Sequence, residues 1–390
     1  MMNMPDYIGP MAFGLKMGVI LPGMDIVDKV YERLADCYRA GLLNNGDVVC
    51  ITESVVARAQ NNYITIDDIA REVKNKLKLP DAGKIAVIFP IASRNRFSMI
   101  LRGIARAVPR GEVIVQLSFP DDEVGNQVVS PDFVLQMNRD PITLEDIGDR
   151  SFKHPVTGVD YINLYRSIIE DEGAKAVILL SNDPLQALRH GPDGVIAADI
   201  HKRDKTLKTI TDWFENALTL AQLCNEGESY SEWGLLGSNM SAGERIKLAP
   251  REGQTVVDAL QEKLLAALDL KVEVMIYGDG AYLDPSSGIY ELADPRAAFA
   301  ATAGLNCVRE GLKYKYLADQ CYHEENKTAE EIEEILRSSV ERRLTEDCLE
   351  KEGTTPRRME DVLASLADLV SGSADAGTPV VVVRGFLRPS

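Results

Sequence analysis

Residues 84–108 read KIAVIFPIASRNRFSMILRGIARAV. The opening KIAVIFPIA is a largely apolar run that reads as one buried strand. The closing RFSMILRGIARAV spaces its apolar residues three and four apart, as one face of a helix does. Between them lies a polar knot, Ser93-Arg94-Asn95-Arg96. A strand that passes into an amphipathic helix through a short turn is the building unit of a parallel sheet covered on both faces. The pattern recurs. Strand-like EVIVQLSF, KAVILLS and GVIAADI begin at residues 112, 175 and 194, and helix-like YINLYRSIIEDEG and LKTITDWFENALTLAQL begin at 161 and 207. The spacing predicts a separate alternating α/β region over residues 81–231.

The flanks are α/β as well. GMDIVDKVYERLADCYRAGLL has helical spacing and a Gly41 stop, VVCIT is a short buried strand, and ESVVARAQNN returns to helix. Beyond residue 231 come helix TVVDALQEKLLAALDL, strand KVEVMIY and a charged stretch, KTAEEIEEILRSSVERRLTEDCLEKEG, that reads as a solvated helix face. The end, RRMEDVLASLADLVSGSADAGTPVVVVRGF, is helix, Gly/Ser loop and buried strand.

A chain of 390 residues exceeds one ordinary core, so at least two domains are expected. The hydrophobic fraction of 45% and charged fraction of 26% are those of a soluble globular protein. The net charge of −17 argues against sequence-independent nucleic-acid binding, which needs many cations on phosphate. The six cysteines are scattered with no Cys-x-x-Cys pair, which suits a reducing cytoplasm. Cys321 and His323 alone are too few for a zinc site. The amino terminus lacks the basic opening of a signal peptide, and the apolar runs are too short to span a bilayer, so neither membrane nor nucleic acid is an expected partner.

Several clusters could carry chemistry. Ser93 or Asn95 is placed to cap the helix after the polar knot, and Arg94 and Arg96 beside it suit a carboxylate or phosphate. LSFPDDEVGNQ supplies Asp121, Asp122, Glu123 and Asn126, oxygen ligands of the kind hard cations take. LLSNDPLQAL reads as structural, with Asn182 or Asp183 as cap and Pro184 in the first turn. His154, His190 and His201 have no metal-ligand spacing. VMIYGDGAYLD (274–284) ends a strand in Gly278-Asp279-Gly280, where Asp279 is either a strand-end ligand or a turn residue. There is no Walker-type Gly-x-x-x-x-Gly-Lys-Ser/Thr and no Gly-x-Ser-x-Gly elbow.

Three separated pieces go together. They are ILPGMDIVDKVYERL with NNGDVVCITESVVARAQ, EWGLLGSNMSAGERIKLAPREG with LDLKVEVMIYGDG, and ASLADLVSGSADAGTPVVVVRGF. In this order they resemble the gamma-glutamyl ligases that act on the deazaflavin coenzyme F-420. The resemblance implies a mixed α/β ligase-like core, formed by residues 1–80 and 232–390, that carries the 81–231 region as an insertion. It implies a homodimer that uses GTP or ATP with Mg or Mn. The reaction would add L-glutamate to a deazaflavin-type or related carboxylate acceptor through an acyl phosphate. The other reading is a non-catalytic small-anion or nucleotide-binding protein on the same scaffold.

Carried over residue by residue, the family's nucleotide turn falls on Glu53 and Ser54, and its lysine on Arg58. Its Ser-Asn motif falls on Ser238 and Asn239, and its glycine loop on Gly372, Asp375 and Gly377. Its strand-end metal ligand falls near Asp279, while a second metal-binding Asp is replaced by Leu236. In this reading Arg94, Asn95, Arg96, Asp122 and Asn126 of the inserted region are candidates for anion or substrate contacts.

Overall fold

The computed structural model describes residues 8–155, 157–279, 293–309, 313–341, 357–371 and 377–387. Two larger sheets organise them. In the six-stranded sheet the spatial order is Ile142–Thr143, Lys175–Leu180, Glu112–Leu117, Lys84–Ile88, Gly194–Ala197, Ala217–Thr219. All neighbours pair in parallel except the edge strand Ile142–Thr143. Alternate residues serve opposite faces. Ile85, Val87, Val113 and Val115 pack with helices Phe97–Ala107 and Tyr161–Asp171, whereas Ala86, Ile88, Ile114 and Val195 pack with Ala187 and Ile210. Burial on both faces is why these strands are apolar runs rather than alternating patterns.

From Lys84–Ile88 the chain first builds strands on one side and later on the other. The carboxyl end of Lys84–Ile88 therefore lies where the strand order reverses, the place where open α/β sheets leave a crevice. The polar knot follows this strand end. Phe89 takes φ of 55° and, with Pro90, ends the strand short of the predicted KIAVIFPIA.

The five-stranded sheet has the order Met11–Leu15, Val380–Arg384, Val48–Thr52, Glu273–Tyr277, Ala298–Ala301. Val48–Thr52 and Glu273–Tyr277 run parallel, and the other pairs are antiparallel. Val49, Ile51, Val380 and Val382 face helices Ile26–Arg39 and Gly253–Leu268. Val48, Cys50, Val381 and Val383 face helix Met359–Ser371. The strand predicted at the chain's end is thus sandwiched between helical layers.

The two sheets are joined by closely packed segments. Helix Ile66–Lys76 lies against Phe97–Ala107, so close that a Cβ on Gly103 would sit 2.6 Å from the Ile69 Cβ. Ile64 to Leu79, Leu235, Leu236, Ile246 and Leu248 share the apolar cluster of the six-stranded sheet. A small sheet pairs Tyr63–Thr65 with Arg245–Lys247, and that strand with Asn239–Met240.

The structure corrects some local expectations. LKTITDWFENALTLAQL is not one helix: helix Arg203–Thr211 stops, Trp213 is exposed, and Ala217–Thr219 joins the sheet before the short turn Leu220–Gln222. Strand pairing with Gly194–Ala197 wins over helical spacing there. After Leu180, Asn182 bonds Phe119 through both amide atoms, and a 3-10 turn, Gln186–His190, stands where a helix was expected. The charged stretch is helical over Ala329–Glu341, and its remainder, 342–353, lies outside the described residues. No helix among the described residues is long and apolar enough to cross a membrane.

Candidate functional site

Because Val48–Thr52 and Glu273–Tyr277 are parallel, with Thr52 opposite Tyr277, their carboxyl ends open on the same edge. A cleft of about 470 Å³ lies there. Its walls are the Gly18–Ile20 segment, the turn Thr52–Val55 with Arg58, Asn239, Gly278 and Asp279, Asp368 and Ser371, and Gly377–Pro379.

Glu53 opens the helix that follows Thr52 and is buried. Lys247 Nζ donates to it at 2.8 Å to Oε1 and 2.5 Å to Oε2. Burial pushes the Glu53 carboxyl up, the Lys247 charge pulls it back down, and the charge of Asp294 adds a further upward push. Arg58, one helical turn on, is exposed at the cleft.

On the opposite wall the bulge between Ile276 and Tyr277 redirects the strand end. Gly278 follows, and a Cβ there would lie 2.4 Å from Asp294 Oδ2 and 2.7 Å from the Phe299 ring. Asp279 then faces the cleft and meets Arg96. The guanidinium donates to Asp279 Oδ2 at 2.7 Å and to Asp294 Oδ1 at 2.8 Å, while Asp294 Oδ2 accepts from the Asp279 N–H at 2.8 Å. Burial, followed by the Asp294 charge, holds the Asp279 carboxyl well above the usual carboxylate range against the pull of Arg96. Burial disfavours the Arg96 cation, but the charges of Asp294 and Asp279 outweigh it, so the guanidinium stays charged. Asp279 is therefore an ion-paired wall residue rather than a simple turn residue.

Of the residues named from sequence, the structure brings Glu53, Ser54, Arg58, Asn239, Asp279 and Gly377 to this one cleft, with Arg96 held against its wall. Ser238 is buried behind it, where its Oγ donates to Leu235 O at 2.7 Å. Gly372 and Asp375 lie outside the described residues. Asn95 supports the site from outside: its carbonyl accepts from Met240 N at 2.7 Å and its Oδ1 from Ser93 Oγ at 2.9 Å. Neither Ser93 nor Asn95 is the N-cap residue, although Ser93 Oγ accepts from Arg96 N at 3.2 Å. Arg94 is exposed toward Tyr161.

Asp122 and Asn126 lie outside the lining of this cleft, in a loop they hold together. Asp122 accepts from the N–H groups of Ala92, Val124 and Asn126 and from Asn126 Nδ2, all within 3.0 Å, so the pair closes its own loop. Two participants escaped the sequence reading. Lys247 is a lone cation in the apolar run IKLA, and Asp294 stands fifteen residues beyond Asp279.

Among the described residues the donor set does not fit a divalent ion at Asp279 as folded. A hard cation needs several free oxygen ligands converging on one point. Arg96 occupies the space between Asp279 and Asp294, Lys247 holds both Glu53 oxygens, and Leu236 is apolar and buried. Among the described residues no group of three His, Cys, Asp or Glu side chains is arranged to hold a metal.

Comparison with curated proteins gives no match. The family model described as F420-0:Gamma-glutamyl ligase matches residues 14–385, a span that includes both sheets apart from Met11–Phe13 of the first strand, and every described wall of the cleft. On that match the chain belongs to the F420-0:gamma-glutamyl ligase family.

Proposed function

We propose that the protein is a nucleotide-dependent acid–amino-acid ligase that joins L-glutamate to a deazaflavin-type or related carboxylate acceptor. The observation that carries this reading is the convergence of the Thr52–Arg58 turn, Asn239, Asp279 and Gly377–Pro379 on one cleft, in a chain of this family. Its volume, about 470 Å³, is in the range of small-molecule sites.

A carboxylate is a poor electrophile. Transfer of the terminal phosphoryl group of GTP or ATP to an acceptor carboxylate oxygen makes an acyl phosphate and releases the nucleoside diphosphate. The neutral amine of glutamate then attacks the acyl carbon, the C–O bond to phosphate breaks, and inorganic phosphate and a proton leave. In this reading Arg58 faces the phosphates as an exposed cation at the cleft. Ser54 and Asn239 supply neutral hydrogen-bonding groups that position them. The buried Glu53–Lys247 pair fixes the start of the nucleotide turn. Mg or Mn enters only as the counter-ion that accompanies the nucleotide, and a homodimer belongs to the same proposal.

The test supplies ATP or GTP, labelled L-glutamate and a phospholactyl-deazaflavin acceptor to the full chain. Label transfer into an amide, matched by nucleoside diphosphate release, is expected. If neither nucleotide is cleaved and no amide forms, the ligase reading falls. The binding-protein reading has its own support, since Leu236 stands where the resemblance expects an acid and Arg96 holds the remaining acids. Nucleotide binding without turnover would select it.

A further inference from the structure

The contact between Arg96 and the two aspartates joins distant parts of the chain. Arg96 comes from the knot after Lys84–Ile88, at the carboxyl end of the six-stranded sheet, and Asp279 follows Glu273–Tyr277 of the other sheet. The Arg96, Asp279 and Asp294 side chains are 14%, 26% and 2% exposed. Both Asp294 oxygens are engaged, one by the guanidinium and one by the Asp279 N–H. Phe97, Ile100, Leu235 and Leu236 line the apolar cavity beside Arg96.

Two carboxylates this close need a cation between them, because each charge disfavours the other. A guanidinium supplies a fixed planar fork that matches two carboxylate oxygens. A divalent ion would need the same oxygens, and it would leave the guanidinium without partners beside an apolar cavity. That exchange is unfavourable, since a buried charge stripped of its partner is strongly destabilising.

We infer that Arg96 is a built-in cation of the cleft: its guanidinium holds the place between Asp279 and Asp294 and keeps divalent metal out of it. The inference concerns the folded protein without nucleotide and does not depend on the ligase reading.

The test measures Mn alone, with neither nucleotide nor glutamate, by manganese titration and by anomalous diffraction of Mn-soaked crystals of the full chain. The wild type should show no anomalous peak between Asp279 and Asp294. Arg96→Gln should create a saturable Mn site there, raising affinity at that position at least tenfold. Adding Asp279→Asn should abolish the gain. A wild-type peak between the two aspartates overturns the inference, as does an Arg96→Gln protein that binds Mn no better than wild type. A gain that survives Asp279→Asn also overturns it. Should Arg96→Gln fail to fold, the wild-type crystal decides by itself. A negative ligase assay leaves each of these outcomes readable.

Discussion

Replacing Lys247 with Met should show how far the floor of the cleft depends on one ion pair. The Lys247 and Glu53 side chains are 9% and 8% exposed, so neither charge has water to fall back on. Met keeps much of the apolar stem and removes only the charge, which leaves the Glu53 carboxylate buried and unpaired. Breaking a buried pair from one side costs about 3–5 kcal/mol. The pH dependence gives this cost a signature. Burial already raises the Glu53 carboxyl above its ordinary value of 4.5, and Lys247 is the main influence that lowers it, so the variant raises it further. A carboxyl raised in the folded state contributes stability fully below its unfolded pKa and loses that contribution as pH rises through the folded pKa. The penalty of Lys247→Met should therefore grow by about 1.4 kcal/mol per pH unit between the wild-type and variant folded pKa values, then level off. Urea unfolding of wild type, Lys247→Met and the double variant Glu53→Leu/Lys247→Met, at stepped pH from mildly acidic to mildly alkaline, reads all of this. The double variant should recover much of the loss, because no charge is left stranded. A penalty under about 1 kcal/mol in alkali, or one that is flat with pH, would mean that the pair is solvated and would refute the reasoning.

Three further outcomes follow from the same geometry. Gly103→Ala sets a helix-propensity gain of about 1 kcal/mol against about 1–3 kcal/mol of overpacking on Ile69, so thermal melting should show a loss, and a raised Tm would contradict the close helix crossing. Burial, together with the charge of Glu123, raises Asp199 from 3.8 to about 6 against the pull of its Thr206 bond and Arg203. Its stabilising contribution is complete below pH 3.8 and lost as pH rises through about 6, so Asp199→Asn should flatten up to about 3 kcal/mol of the unfolding slope over that interval. Arg58→Ala, an exposed change at the cleft, should weaken nucleotide binding by roughly tenfold or more at unchanged Tm, measured by titration calorimetry.

Much of the scaffold was legible because its strands are buried on both faces. Runs such as Lys84–Ile88 and Val380–Arg384 are apolar but for one terminal cation, and their flanking helices carry clean spacing. The region around Ala217–Thr219 was not legible, since an edge strand that pairs with one neighbour leaves a pattern no different from a helix turn. Asp279 stood out at its glycine-flanked strand end, Glu53, Arg58 and Asn239 were reached through the family resemblance, and the fold places them together. Lys247 and Asp294 were hidden because their partners Glu53 and Arg96 lie 194 and 198 residues away, and no local pattern encodes such a pairing. Asp122 and Asn126, read as contact candidates, show the opposite limit of a local pattern. An acidic loop that binds its own backbone has the same composition as one that binds a ligand.

The most direct measurement of the account's central claim is a crystal structure with a non-hydrolysable nucleotide triphosphate. The phosphates should lie in the cleft between Ser54, Arg58, Asn239 and the Gly377–Pro379 segment. A nucleotide bound elsewhere on the chain, or none bound at millimolar concentration in solution, would contradict it.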